Sequence, residues 1–207
     1  SSGKNWGYGS IAPSDGRDIV ILDLSKMNAI TVVDKELGLI NLEPGVTQQQ
    51  LYEFLESNDW GYMAPVTGAG PTCSILSNAL ERGYGITKHT DHFYALNRLN
   101  AIVPNPKLWE EGEDNAEKFV MRSAIDDMES VDVNDKFIAN TFKWDVGPYT
   151  DGLFTQSSFG IVTDATFRLA PKSKYSCCFY IKVYDDKNLA KCVQLINGVL
   201  KDFESAI

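Results

Sequence analysis

Residues 65–85 read PVTGAGPTCSILSNALERGYG. Proline and glycine crowd its first half, so Pro65 to Thr72 is predicted as a loop. From about Cys73 to Arg82 the pattern is helical. Gly83 stands where a left-handed residue ends a helix. The start of that helix, near Thr72 to Ser74, directs free N–H groups back toward the loop. Gly68 and Gly70 lack side chains, so a flat group can lie against the main chain there. Asn78 and Arg82 are four apart, which places both on one helical face. A buried helix with a glycine cap satisfies the same residues, and the segment alone does not choose between the two.

Upstream, short β-rich runs occupy Ile19–Leu24, Ile30–Asp34 and Leu39–Glu43, each bounded by turn residues. A helix is predicted after Pro44 and Gly45. Thr47 caps it, with Gln50 as the reciprocal partner, and Leu51, Phe54 and Leu55 form its apolar stripe. The chain opens SSGKNWGYGS. Gly3, Gly7 and Gly9 permit tight turns with several N–H groups facing inward, a concavity that suits pyrophosphate. The spacing is not that of a Rossmann fingerprint, and a strand rather than a helix follows. Read without context, such a glycine-rich loop is more often only a set of turns.

Downstream, Leu99–Val103 is predicted as a strand. Residues 104–140 are acidic and form an insertion-like connection, with a helix from about Asn115 to Met128. Residues 142–171 read FKWDVGPYTDGLFTQSSFGIVTDATFRLAP. They are predicted to hold a loop, a short helix and a strand from Ile161 to Leu169. Main-chain groups of Gly160 to Val162 can pair with the edge of a planar heterocycle. After Pro171 come a long strand, Cys177–Tyr184, and an amphipathic helix carrying Leu189, Val193, Ile196 and Leu200, capped by Asp185 or Asp186.

Bulk properties exclude several functions. A formal net charge of -9 disfavours nucleic acid. No apolar run approaches a membrane span, and no signal peptide is visible. The chain starts inside what reads as a motif, which predicts a piece of a longer polypeptide. The four cysteines, Cys73, Cys177, Cys178 and Cys192, contain no C-x-x-C pair. They read as mostly free, buried thiols, in keeping with a cytoplasmic location. His89 and His92 flank Asp91 at a spacing that invites a metal. With no third histidine, a hydrogen-bonded structural role is the expectation, and no metal is assigned. No nucleophile elbow or Ser-His-Asp arrangement is legible.

Taken in order, SSGKNWGYGS, the strand ending in LDL with KMN, EPGVT, SNALERGYG followed by DH, and GPYTDGLFTQSSFGIVT resemble one family. It is that of the p-cresol methylhydroxylase and vanillyl-alcohol oxidase flavoproteins, and the likeness is greatest to their phenol-oxidising members. The resemblance implies an α+β fold: a two-subdomain PCMH-type FAD-binding domain over residues 1–171, lacking its N-terminal strands, with an α/β cap (substrate) domain beginning at 172–207.

By that likeness the cofactor is FAD. Gly3, Lys4, Asn5, Gly7 and Gly9 surround its pyrophosphate, and Pro44, Gly45 and Val46 lie beside it. Gly68, Gly70 and Thr72, with Asn78, Arg82, Gly83, Gly85 and His92, line the isoalloxazine and diphosphate side. Gly160, Ile161 and Val162 hold the adenine through their main chain. Tyr8 is the implied catalytic residue, its hydroxyl donating to a substrate phenolate. The implied activity is oxidation of a small para-substituted phenol or related alcohol by hydride transfer to flavin N5. Oxygen or a cytochrome is the electron acceptor, and a homo-oligomer is compatible.

The departures from the family pattern also carry expectations. Asn5 stands about where some branches tether flavin through histidine, so attachment through this loop is not expected. No carboxylate lies between Pro65 and Asn78. Thr87-Lys88-His89-Thr90 replaces a familiar T-P-Y-G stretch, Asn100 replaces a glutamate, and Pro104 ends that strand. These changes motivate the alternative of a catalytically degenerate FAD-binding module with a binding or scaffolding role.

Overall fold

The computed structural model describes residues 16, 18, 20–85, 91–103, 119–122, 141–144 and 149–202, of which 119–122 as backbone alone. Two of the predicted strands pair as a hairpin where local chemistry specifies the turn. Strands β1 (Ile30–Asp34) and β2 (Leu39–Leu42) pair antiparallel, Ile30 opposite Leu42. Asp34 Oδ1 accepts from the N–H groups of Glu36 and Leu37, and Gly38 takes φ +69° to close the turn.

Three further strands complete a sheet of order β1-β2-β6-β4-β5, antiparallel throughout. They are β4 (Leu96–Val103), β5 (Phe119–Arg122) and β6 (Ile161–Arg168). β6 is central because both its edges are paired, with β2 on one side and β4 on the other. Phe167 lies opposite Ile40 of β2 and Leu96 of β4. A two-stranded pair, β3 (Tyr62–Met63) with β7 (Ala170–Pro171), stands beside it.

Helix α1 (Gln48–Ser57) starts at the predicted capping box: Gln50 N donates to Thr47 Oγ1, and Thr47 N to Gln50 Oε1. Leu51 and Leu55 are buried. Helix α2 (Ile75–Leu80) adds Ile75, Leu76 and Ala79 to the same core as Ile40, Leu42, Leu99 and Phe167. Thr47→Ala removes one acceptor and half of the box. It should lower stability by about 1 kcal/mol, read as a lower urea midpoint with unchanged m-value.

Four expectations are corrected. Val20–Leu24 form no strand: Val20 is 97% exposed, and no described segment pairs with this run. Cys177–Tyr184 is likewise unpaired and exposed. High β-propensity records the fit to a pleated, half-buried surface, so it makes no strand where no partner ladder exists. Phe119–Arg122, predicted inside a helix, is strand because β4 offers it an edge from Asn100 to Val103. Finally, Cys73 is buried, but Cys177 and Cys178 are exposed and Cys192 is partly so. The strands predicted at Leu99–Val103 and Ile161–Leu169 need only adjusted limits: β4 begins at Leu96 and β6 ends at Arg168.

Beyond β7, a 3-10 turn (Asp186–Asn188) is capped by Asp185, whose Oδ1 accepts from Lys187 N. It leads into helix α3 (Leu189–Asp202), which buries none of its residues. No helix among the described residues is long and apolar enough to cross a membrane.

Candidate cofactor site

The sequence-predicted segments converge through hydrogen bonds. Val46 O accepts from Ile75 N, Ser74 Oγ donates to Pro44 O at 2.5 Å, and Thr47 bridges Ser74. These contacts lay Pro44–Thr47 against the start of α2, and Gln49 N donates to Pro71 O at the end of the glycine loop. Gly45 is required for a local reason. A Cβ there would run into the backbone carbonyls of Ser25 and Met27, and Gly45 N already donates to Met27 O.

Gln48 organises the loop, and no motif marks it for that role. It is 4% exposed; its Nε2 donates to Gly70 O and its Oε1 accepts from Thr67 N, each at 2.9 Å. Both ends of the Thr67–Gly70 turn are therefore held by one buried amide. Gly70 adopts φ +94°, and a Cβ there would meet nothing within 4 Å. The turn presents bare main chain on an open side, which fits a flat cofactor lying against it. One expectation fails at the helix beyond. Its first N–H groups are not free: Ile75 N is taken by Val46 O and Ser77 N by Ser74 Oγ.

The end of α2 also differs from the prediction. Arg82, not Gly83, takes the left-handed conformation, at φ +57°. Arg82 N donates to Ala79 O and Gly83 N to Asn78 O, the two bonds of a Schellman motif with an arginine in the glycine position. Arg82 therefore lies past the helix rather than on one face with Asn78. Gly83 is needed because a Cβ would strike the Asn78 side chain. Arg82 Nη2 meets Asp91 Oδ2 at 2.8 Å, and its guanidinium stacks over the Phe93 ring at 4.9 Å. A left-handed non-glycine residue costs about 1–3 kcal/mol, whereas an exposed ion pair returns about 0–1 kcal/mol. The arrangement does not add to global stability.

His92 is buried and hydrogen-bonded. Its Nδ1 closely approaches Asn78 Oδ1, and its N–H donates to Gly83 O. Gly85 packs on the Val66 carbonyl and the His92 ring. Among the described residues no cluster of three or more His, Cys, Asp or Glu side chains is placed to hold a metal.

The last segment joins at the end of α2. Gln156 N donates to Leu80 O and its Nε2 to Glu81 O. Gly160 approaches Ile102 O, Val103 and the Phe154 ring too closely for a Cβ. The β2–β6 ladder ends at Leu42 opposite Ala165, while β6 continues to Ile161 against β4 alone. Among the described residues, the side of Ile161–Asp164 turned away from β4 thus has no partner strand, which suits main-chain recognition of a heterocycle edge. Gly3, Lys4, Asn5, Gly7, Tyr8, Gly9 and His89 lie outside the described residues.

A charged group behind the site was also not foreseen. Lys143 Nζ donates to the carbonyls of Phe93 and Leu96 at 2.5 Å each and lies 4.1 Å over the Phe93 ring. Burial lowers its pKa to about 8, opposed by the Asp151 and Asp91 carboxylates. Asp151 is 1% exposed, and burial raises its pKa to about 7 against the pull of Lys143 and Arg98. Burial also raises the Tyr149 hydroxyl, and the Asp151 charge adds to the shift. The residues sit in the quoted dense stretch, but no local pattern marks a lysine or aspartate as buried.

Comparison with known proteins agrees with this geometry. A family model described as an FAD binding domain matches residues 1–108. A 1'-carboxy-chondrochloren decarboxylase from Chondromyces crocatus is 32% identical over 99% of this chain and 34% of its own length. The flavoprotein subunit of 4-cresol dehydrogenase (hydroxylating) from Pseudomonas putida is 33% identical over 95% of this chain and 34% of its own. The crystal structure of p-cresol methylhydroxylase with substrate bound superposes with a TM-score of 0.72 at 30% identity, covering 95% of this chain and 35% of that one. A 4-ethylphenol oxidase from Gulosibacter chungangensis, in complex with isoeugenol, gives 0.58 at 25% identity over 73% and 26%. The chain thus spans about a third of the length of the curated relatives it matches. It belongs to the FAD-binding, p-cresol methylhydroxylase-type flavoprotein family, and its cofactor is FAD.

Proposed function

We propose that the protein oxidises a small para-substituted phenol or related alcohol, with residues 1–171 forming the FAD-binding part and 172–207 opening a substrate domain. The observation that carries the reading is the Thr67–Gly70 turn, held by buried Gln48, with bare main chain at Gly70 facing open space. Bound FAD supplies the hydride acceptor at N5. The chain's part is position. Pro44–Val46, Gly68–Thr72 and Gly83–Gly85 offer main chain to the flavin and diphosphate, and Gly160–Val162 offer a strand edge to the adenine. Gly3, Lys4, Asn5, Gly7 and Gly9 are assigned to the pyrophosphate. Tyr8 is assigned to the phenolate oxygen, where a charge-assisted hydrogen bond keeps electron density on the ring and makes the benzylic carbon a better hydride donor. Oxygen or a cytochrome then takes the electrons. The exposed apolar stripe of α3 (Leu189, Val193, Ile196, Leu200) supports a further layer packed on that helix.

Anaerobic mixing of the flavin-loaded protein with a panel of 4-alkylphenols and benzylic alcohols tests this. Bleaching of the flavin band by a phenol, slowed at least about tenfold in Tyr8→Phe, is the expected result. A protein that holds FAD but is reduced by no member of the panel would sink the proposed oxidation.

A further inference from the structure

Two side chains at the end of α2 reach the same dipeptide. Asn78 meets His92, and Arg82 meets Asp91. Around them, His92 N donates to Gly83 O, Tyr84 bridges Asp91, and Asp91 Oδ1 accepts from Phe93 N at 3.0 Å. The neck where the chain leaves α2 and returns at Asp91 is therefore fastened from both sides. What that neck positions is Gly83–Gly85, whose last residue abuts the Val66 carbonyl at the start of the glycine turn.

We infer that Arg82–Asp91 and Asn78–His92 form a positioning clamp that aligns Gly83–Gly85 with the Val66–Gly70 turn as one main-chain surface for the flavin. This rests on the flavin-binding reading above. It assigns Arg82 a role different from cofactor contact, because its guanidinium is engaged by Asp91 and by the Phe93 ring. The backbone supports the assignment. Glycine is the easy residue for a left-handed helix end, and an arginine there accepts strain. The ion pair is half-exposed, so its return is position rather than stability.

The test uses Arg82→Gly, Asp91→Asn, their double variant, His92→Gln and His92→Ala, each as apoprotein titrated with FAD and scanned for its visible spectrum and thermal midpoint. Arg82→Gly relieves the strained backbone, so a residue acting only as a helix end would leave the midpoint unchanged or higher and FAD affinity intact. The clamp instead predicts a retained midpoint with FAD affinity reduced at least about tenfold and a shifted flavin band. Asp91→Asn, which removes only the charge, should give the same loss, and the double variant should be no worse than either single one. His92→Gln, which keeps a donor toward Asn78, should retain more affinity than His92→Ala. Wild-type affinity and spectrum in both single variants overturn the clamp while leaving the flavin site standing. Additive losses in the double variant also overturn it, since they make Arg82 a direct cofactor contact. A wild-type apoprotein that takes up no FAD overturns the flavin-binding reading itself.

Discussion

Phe167→Ala is expected to remove about 3–5 kcal/mol of stability. Phe167 is fully buried on the central strand, opposite Ile40 and Leu96. Truncation loses the transfer free energy of the ring and leaves a cavity. The surroundings are two paired strands and two helices, which cannot collapse into it without breaking the β2–β6 or β4–β6 ladder. A domain of this size is stable by about 5–15 kcal/mol, so the loss takes a large part of the total. Urea unfolding followed by tryptophan fluorescence measures it. A loss below about 1 kcal/mol would show that β6 is not the packing centre.

Lys143→Met should be destabilising in a pH-dependent way. The substitution keeps an apolar stem over Phe93 but removes two donors from the Phe93 and Leu96 carbonyls and the nearest positive charge acting on Asp151. In the wild type, Asp151 has a folded pKa raised to about 7 from 3.8. Its contribution is present below the unfolded value and is lost as pH rises through the folded one. Lys143 has a folded pKa lowered to about 8 from 10.5, so stability recovers as pH climbs between those values. Without Lys143 the Asp151 carboxyl moves further up and the recovery disappears. At about pH 6, where Asp151 is largely protonated, the cost is that of the lost hydrogen bonds, about 1–3 kcal/mol. At about pH 7.5, where Asp151 is mostly ionised and Lys143 still mostly protonated, it approaches the cost of an unpaired buried charge, about 3–5 kcal/mol. Denaturation midpoints at the two pH values decide it, and equal losses at both would refute the electrostatic link.

Much of the fold could be read locally. The capping box at Thr47 and Gln50 depends on two residues three apart, and it formed as the spacing implies. The β1–β2 hairpin depends on two short apolar runs and a turn with Asp34 and Gly38. The ordered glycine blocks identified the cofactor class, because close approach of a backbone demands glycine wherever it occurs. The blocks did not reveal what each glycine accommodates. At Gly45, Gly83, Gly85 and Gly160 the space is filled by the protein's own atoms, whereas at Gly70 nothing stands within 4 Å.

Elements whose state depends on a distant partner were not legible. Cys177–Tyr184 has the composition of a strand and pairs with none of the described residues, while Phe119–Arg122 sits in a helical-looking stretch and completes the sheet. Strand formation is a property of two chains in register, and composition reports only one of them. Arg82 took the left-handed position next to an available glycine because Asp91 and Phe93, nine and eleven residues on, engage its side chain. The buried amide of Gln48 and the buried charges of Lys143 and Asp151 have the same origin. The sequence by itself determined the family, the FAD class and the helices and turns that close within a few residues, since those interactions are local. The tertiary structure alone decided which glycine stays open, which strands find partners and which charged groups leave water, because burial is set by what packs across the fold.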